Sequence, residues 1–394
     1  MTAPVRVFFS TGEPSGDMLA ASLAVAMRGL APDTSFAGIG NERMEAAGIA
    51  LTQRTTGWAS LGPIEALRRI PPLFASCIRH GVWIARAPWD LVVLVDFGAF
   101  NLRFAWLLRT LGYRRPILYL VPPGAWFDKP KQARAVARYA TALTPFAHQR
   151  DFYRSLDLPV VSFGHPLVSL VPPRAPRPPA PEGGGTVAIL PGSRSGEIAR
   201  HMGPLLAACK VLRRSRPRVR FTIAAADSVT ERMIAAELDR AFLPPYVPPA
   251  RSAEKTNARS TPADRSGFTI ANGSRAALDD ADAAWIASGT AVLEAALREV
   301  PTVALYIVSA AQLPIARRIW KRPYITLPNI LLDRPVVPEC LQDDATPERL
   351  ADEIDVLLRD PAQQLADVRA LRRTLGGEDA LERSAAFALG LARI

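Results

Sequence analysis

A carboxylate at the end of a buried strand is the residue in this sequence best placed for acid–base chemistry. The run WDLVVLVDFGAFNLRFAWLL is apolar up to Asp96 and helical after it. A carboxylate at the carboxyl end of a central strand faces the crevice of an α/β unit, where a general base belongs. Its competing role is to cap the next helix, a task better suited to Asn101. A second candidate is the opening turn STGEPSGD at residues 10–17. An apolar strand stops there, two carboxylates and two glycines follow, and a helical run begins, as in the first step of a βαβ unit. The dinucleotide fingerprint G-x-G-x-x-G is absent. A third candidate is VAILPGSRSGEIARHM at 187–202. Backbone N–H groups at such a helix start bind anions, and Arg194 adds a charge-assisted contact to phosphate; an ordinary turn with a surface arginine is the other reading.

Three further stretches carry weaker signals. In AAWIASGTAVLEAALREVPTVALY, 283–306, a strand ends at Ser288-Gly289-Thr290 and a helix follows at once. Its positive end favours phosphate. Glu294, one turn in, suits the two hydroxyls of a ribose, or is a solvated helix glutamate. Asn329, in a Pro-rich apolar loop, reads a base, holds phosphate or bonds its own turn. His165 in FGHPLVSL leads toward a linker and either lines a cleft or is a satisfied structural histidine.

The elements that position these residues alternate in two series. Strands are expected near 5–10, 35–39, 91–96, 116–121, 141–144 and 160–163, then at 186–190, 219–225, 283–287 and 301–306, with helical patterns between most of them. The two series are separated by VPPRAPRPPAPEGGG, 171–185, which continues neither helix nor central strand and reads as a linker. This predicts an α/β protein of two doubly wound, Rossmann-like domains facing a central cleft, with the site in that cleft. The divisions are 1–170, the linker 171–185, and 186–394, whose last helices are free to pack back on the first domain. Residues 243–267 read as a polar, Pro-rich surface loop, and the chain from about 347 as helical. Residues 61–86 mix large apolar side chains with Arg68, Arg69, Arg79 and Arg86, and Pro71-Pro72 divides them into two short helical pieces. They read as an interfacial patch on an anionic membrane, or as ordinary packing with surface arginines.

Bulk properties bound the function. The chain has 394 residues, enough for two domains. Three distant cysteines and four scattered histidines argue for a reducing compartment, no disulfide framework and no metal site. The amino terminus lacks the basic start of a signal peptide, and no run is long and apolar enough to span a bilayer. A cytoplasmic or peripheral protein is expected. The formal net charge is +11, and residues 1–170 hold 18 Lys and Arg against 11 Asp and Glu. Such an excess seeks phosphate or reflects an arginine-rich composition alone. Nucleic acid is a poor partner, because no recognised motif or interleaved aromatic series accompanies the charge.

Together, GEPSGD (12–17), FGHPL (163–167), LPGSRSGEI (190–198), ASGTAVLEAAL (287–297) and YITLPNILLDRPVVPECLQ (324–342) resemble the lipid-A-disaccharide synthase family in order and spacing, from about residue 5 to 358. The resemblance implies the two-domain GT-B fold. It implies an inverting glycosyltransferase on the inner face of the cytoplasmic membrane of Gram-negative bacteria. Such an enzyme joins UDP-2,3-diacylglucosamine to 2,3-diacylglucosamine 1-phosphate by a β-1,6 bond and releases UDP, without a metal or other cofactor. It places Ser193, Arg194, Ser288, Gly289, Thr290, Glu294 and Asn329 on the UDP-site blocks, and Asp96 on a catalytic aspartate. Gly12, Ser15 and Gly16 then form an acceptor-side turn, in which Glu13 and Asp17 meet sugar hydroxyls or Asp17 charges the helix end. His165 joins Asp96, Glu13 and Asp17 as a candidate catalytic residue. The family's IDAPDFN block appears as VDFGAFN, 95–101, with Ala99 in place of an aspartate, and its SPSVWAWR block as VPPGAWFDK, 121–129. A UDP-N-acetylglucosamine 2-epimerase-like enzyme, or a GT-B transferase with another acceptor, is the alternative. A homodimer is compatible with this reading.

Overall fold

The computed structural model describes residues 4–55, 58, 63–123, 129–175, 177, 178, 180–242, 267–319 and 322–394, with no side-chain description at 63–70, 315 and 319. The chain forms two compact units, 1–172 with 372–394, and 173–371. Most of the divergent 121–129 block and of the expected 243–267 loop lie outside the described residues.

The first unit contains β1 (Arg6–Ser10), α1 (Pro14–Leu30), β2 (Ser35–Gly40), α2 (Glu42–Ala46), β3 (Ala50–Arg54), α3 (Pro63–Arg86), β4 (Leu91–Val95) and α4 (Gly98–Thr110). It continues with β5 (Ile117–Leu120), α5 (Pro130–Tyr139), β6 (Thr141–Leu143), α6 (Ala147–Ser155), β7 (Val160–Val161) and α7 (Pro166–Leu170). Its strands pair in the order β3-β2-β1-β4-β5-β6-β7, all parallel. A parallel sheet is covered on both faces, so its central strands read as unbroken apolar runs; LVVLV and ILYL are buried throughout. Alternation still sorts the side chains. Val7, Phe9, Val93 and Val95 pack with Leu19, Leu23 and Met27 of α1 on one face. Phe8, Val92, Leu94 and Tyr119 pack with Cys77 and Ile84 of α3 and Phe104 and Leu108 of α4 on the other.

The second unit contains β8 (Thr186–Leu190), α8 (Ser195–Ser215), β9 (Arg220–Ala225), α9 (Ser228–Phe242), β10 (Phe268–Asn272), α10 (Ser274–Asp279), β11 (Ala283–Ala287) and α11 (Thr290–Leu297). Then come β12 (Thr302–Tyr306), α12 (Leu313–Ile319), α13 (Leu327–Leu332), β13 (Glu339–Leu341), α14 (Pro347–Arg359) and α15 (Ala362–Thr374), whose last three residues belong to the first unit. The parallel order is β10-β9-β8-β11-β12-β13. Val187, Ile189, Phe221, Trp285 and Leu305 close over α8 and α14 in one core, and the Trp285 indole donates to the Leu350 carbonyl at 2.9 Å. The last helix, α16 (Ala380–Ala392), returns to the first unit. Its Ala385, Ala388 and Leu389 share a core with α1.

The stretch read as two short helical pieces divided at Pro71-Pro72 is continuous in the structure. One helix, α3, runs through Pro71 and Pro72. Each proline removes an N–H donor, and both are exposed. The following turns are anchored by buried Ser76, Cys77 and His80. His80 bonds the Ser76 carbonyl through Nδ1 at 2.9 Å and the Thr52 hydroxyl through Nε2 at 3.1 Å.

Candidate active site

In the first unit, the turn after β1 meets the turn after β4. A Cβ added to Gly12 would lie 2.4 Å from the Phe97 ring, and one added to Gly16 would lie 2.1 Å from Thr11 Oγ1. The two glycines of the opening turn are therefore required by the chain's own packing. Phe97 in turn packs against Phe100 and Trp58. Ser15 lies half-buried in the first turn of α1.

Asp96 follows β4 directly and is half-buried. Its backbone is left-handed, φ +47°, as is that of Phe97, φ +48°. Loss of solvent, and then the negative charge of Glu13, push its carboxyl up to about 7. Both effects disfavour the ionised form. Glu13 itself is the half-buried N-cap residue of α1. Asp96 is thus a carboxyl poised near neutrality, which is what a general base requires. Asn101 is not the cap of the following helix: Phe97 holds that position, and Asn101 lies within α4, wholly buried.

Asp17 and His165 are bound into the scaffold. The Asp17 carboxylate is buried and accepts from the backbone N–H groups of Asn41, at 2.6 Å, and Arg43, at 3.0 Å. It lies in the first turn of α1 and also holds the start of α2. Burial raises its pKa, opposed by those N–H bonds. His165 is the buried N-cap of α7, where Nδ1 accepts from the Leu167 N–H at 3.1 Å. Desolvation lowers its pKa to about 3. The imidazole is thereby held neutral, with Nδ1 engaged as the helix cap.

In the second unit, the turn after β8 passes through Gly192, φ +117°. At the start of α8 the Ser193 N–H donates to Glu197 Oε2 at 3.2 Å, and Arg194 Nη1 donates to Glu197 Oε1 at 2.8 Å. The donors assigned to phosphate thus meet a carboxylate of the same helix. The turn after β11 is more open. Gly289 is exposed, nothing lies within 4 Å of an added Cβ, and the α11 start has no side-chain cap. The Ser288 hydroxyl reaches the Ile325 carbonyl at 3.4 Å, and Thr290 begins α11 half-buried. On the second turn, Glu294 Oε2 accepts from the Ser274 hydroxyl at 2.8 Å.

Asn329 is buried, and its amide is fully engaged. Oδ1 accepts from the N–H groups of Val336, at 2.8 Å, and Val337, at 2.7 Å; Nδ2 donates to the Val337 carbonyl, at 2.8 Å, and Glu339 Oε1, at 2.9 Å. It holds its own loop. Two residues here escaped the sequence reading. Glu339 accepts from the Ile325 and Thr326 N–H groups and the Thr326 hydroxyl, so it fixes the start of α13; an acid in an apolar, Pro-rich run was the signal, one it shares with Asp333. His201, wholly buried, donates from Nδ1 to the Pro191 carbonyl at 2.7 Å and accepts at Nε2 from the Ile307 N–H at 3.1 Å. It ties the turn after β8 to the turn after β12, and nothing local in the sequence marks it. Among the described residues, no cluster of three or more His, Cys, Asp or Glu side chains could hold a metal ion.

Two Rossmann-like units, each built on a parallel sheet, define a protein of the GT-B class. Solved structures share this fold. A putative UDP-N-acetylglucosamine 2-epimerase from Listeria monocytogenes superposes with a TM-score of 0.61 at 12% identity, over 97% of this chain and 94% of that one. A glycosyltransferase from Rickettsia africae superposes with a TM-score of 0.51 at 11% identity, over 99% and 98%. Sequence narrows the class. The chain belongs to the lipid-A-disaccharide synthetase family, whose model matches residues 7–243 and 241–388, and so to the glycosyltransferases. The lipid-A-disaccharide synthase of Azotobacter vinelandii is 34% identical over 407 residues, 100% of this chain and 99% of that protein. That of Myxococcus xanthus is 32% identical over 403 residues, 99% and 98%.

Proposed function

We propose that this chain transfers 2,3-diacylglucosamine from UDP to the 6-hydroxyl of 2,3-diacylglucosamine 1-phosphate. The products are the β-1,6-linked disaccharide 1-phosphate and UDP. Asp96 takes the proton of the acceptor hydroxyl as that oxygen bonds to the anomeric carbon. The bond from that carbon to the β-phosphate oxygen breaks, and its electron pair leaves with UDP. Arg194 and the starts of α8 and α11 offset the growing charge on the diphosphate, the task a metal performs elsewhere, and Glu294 meets the ribose. The observation that carries this reading is Asp96 itself, at the end of a central strand with its pKa raised to about 7. Family membership supplies the substrates. Those substrates carry acyl chains, and among the described residues no helix is long and apolar enough to cross a membrane. The reading therefore places the protein on the inner face of the cytoplasmic membrane, attached at its surface.

The test is Asp96→Asn with both substrates. UDP affinity is expected to stay at the wild-type value and kcat to fall roughly 10²- to 10⁴-fold, the usual worth of general-base assistance. Near wild-type kcat would remove Asp96 from the mechanism. Conversion of the UDP-sugar in the absence of acceptor, with no disaccharide when acceptor is added, would replace the transferase reading with the epimerase one.

A further inference from the structure

We propose that Asn101 and Tyr119 are positioning residues for the transfer: together they grip the main-chain carbonyl of Asp96 and hold its carboxyl in a left-handed backbone conformation beside Glu13. The proposal rests on the reading of Asp96 as the base.

Two successive non-glycine residues, Asp96 and Phe97, have positive φ. Each such residue is strained and persists only where its surroundings over-determine it. The surroundings here are specific. Asn101 Nδ2 donates to the carbonyls of Asp96, at 2.8 Å, Val95, at 3.2 Å, and Ser10, at 3.2 Å, while its Oδ1 accepts from the Ser10 hydroxyl at 2.7 Å. The Tyr119 hydroxyl donates to the same Asp96 carbonyl at 3.0 Å. Two donors from two elements, α4 and β5, thus converge on one carbonyl oxygen. On the other side of the peptide, the Asp96 N–H donates to the Leu120 carbonyl at 3.0 Å, so the residue is held at both ends.

The chemistry of β5 points the same way. Its sequence is ILYL, buried throughout, with a tyrosine as its one polar side chain. Phenylalanine would fill the same core space, so the distinctive product of the hydroxyl is its bond to Asp96. The negative charge of Glu13, from the start of α1, acts on the Asp96 carboxyl, and the charge of Asp96 in turn acts on the Tyr119 hydroxyl of β5. If the clamp loosens, the carboxyl is free to move from Glu13 toward water, and both causes of its raised pKa weaken.

The experiment compares Tyr119→Phe and Asn101→Asp with wild type in the full chain, measuring kcat and KM for the UDP-sugar from about pH 5 to 9. Tyr119→Phe is expected to lower kcat about two- to tenfold, the worth of one hydrogen bond. KM should be unchanged and the acid limb of the kcat profile should shift to lower pH. Asn101→Asp, which loses three donor contacts, is expected to do more; if it does not fold, Tyr119→Phe decides alone. In the Asp96→Asn background, Tyr119→Phe should have no further effect on kcat, because residues acting as one unit are not additive. Wild-type kcat in Tyr119→Phe, or a lower kcat with an unmoved acid limb, overturns the proposal even when Asp96→Asn is inactive. Retained turnover in Asp96→Asn is a separate result, and it rejects the base itself.

Discussion

The Asp96 carboxyl serves chemistry at the expense of stability, and pH separates the two. Its folded pKa is about 7, against an unfolded value near 3.9. A group raised in this way leaves stability intact below its unfolded pKa and reduces it as pH rises through its folded pKa. Asparagine does not titrate. Asp96→Asn is therefore expected to gain Tm over wild type from about pH 4 upward, levelling above about pH 7, while losing activity. A thermal melt series across that range checks it; a gain that is the same at every pH would mean that ionisation of Asp96 is not its source. Asn329 gives the opposite prediction. Its four bonds are internal; removing it strands the buried Val337 N–H at a cost of about 1–3 kcal/mol, while the Val336 N–H keeps the Arg334 carbonyl at 3.0 Å. Asn329→Ala should lose stability in urea with little change in UDP affinity of the folded fraction; a large loss of affinity at unchanged stability would make it a ligand. Both residues stood out in the sequence, and they differ in how far their surroundings could be read there. Asp96 was legible because a strand end has one direction. Asn329 was not, because the same amide serves a ligand or its own turn.

Elements were legible where burial is complete. LVVLV, TVAIL and AAWIA are buried at every position, so composition alone marks them as central strands. β3 alternates exposed and half-buried residues, β10 has no fully buried residue, and β13 has three residues. These edge strands lack the apolar run and went unread. Also beyond local sequence is what holds the carboxyl-terminal segment. The His165 N–H donates to the Leu375 carbonyl at 2.7 Å, and Arg372 donates to the carbonyls of Val171, at 2.8 Å, and Val168, at 3.0 Å. Gly164 makes this approach possible: at φ +102°, an added Cβ would lie 2.6 Å from the Leu375 carbonyl oxygen. Gly164→Ala should cost about 3 kcal/mol or more, combining backbone strain with a clash against main chain. Gly112→Ala is the control, since its φ is +90° with nothing within 4 Å. It isolates the strain, and equal losses in urea denaturation would show that the contact with Leu375 contributes nothing.

At the scale of the molecule, charge and exposed apolar surface coincide in the first unit. Helices α3 and α4 pack side by side at Gly81, where an added Cβ would lie 2.9 Å from Leu107. Their outer faces expose Phe74 (65%), Ile78, Trp83, Trp106 (51%) and Leu111, with exposed Arg79, Arg86 and Arg103 among them. Phe74 and Ile78 are one helical turn apart, while Ser76, Cys77, His80 and Ile84 cover the core. So α3 is amphipathic in a direction its own packing does not use. An apolar band rimmed by guanidinium groups suits the boundary of an anionic bilayer. There the large side chains enter the headgroup region, and each basic residue near the surface contributes about 1 kcal/mol. Both proposed substrates carry their acyl chains at that boundary. Wild-type protein is expected to float with anionic vesicles at low salt, to float less as salt screens the arginines, and to bind neutral vesicles weakly. Replacing Phe74, Ile78 and Trp106 together by serine should release it without unfolding, because all three side chains are exposed. If the triple variant keeps its circular dichroism and floats as well as wild type, the band does not attach the protein. If wild type stays in the soluble fraction and sediments as a dimer that the triple variant does not form, a second copy, not a membrane, covers this face.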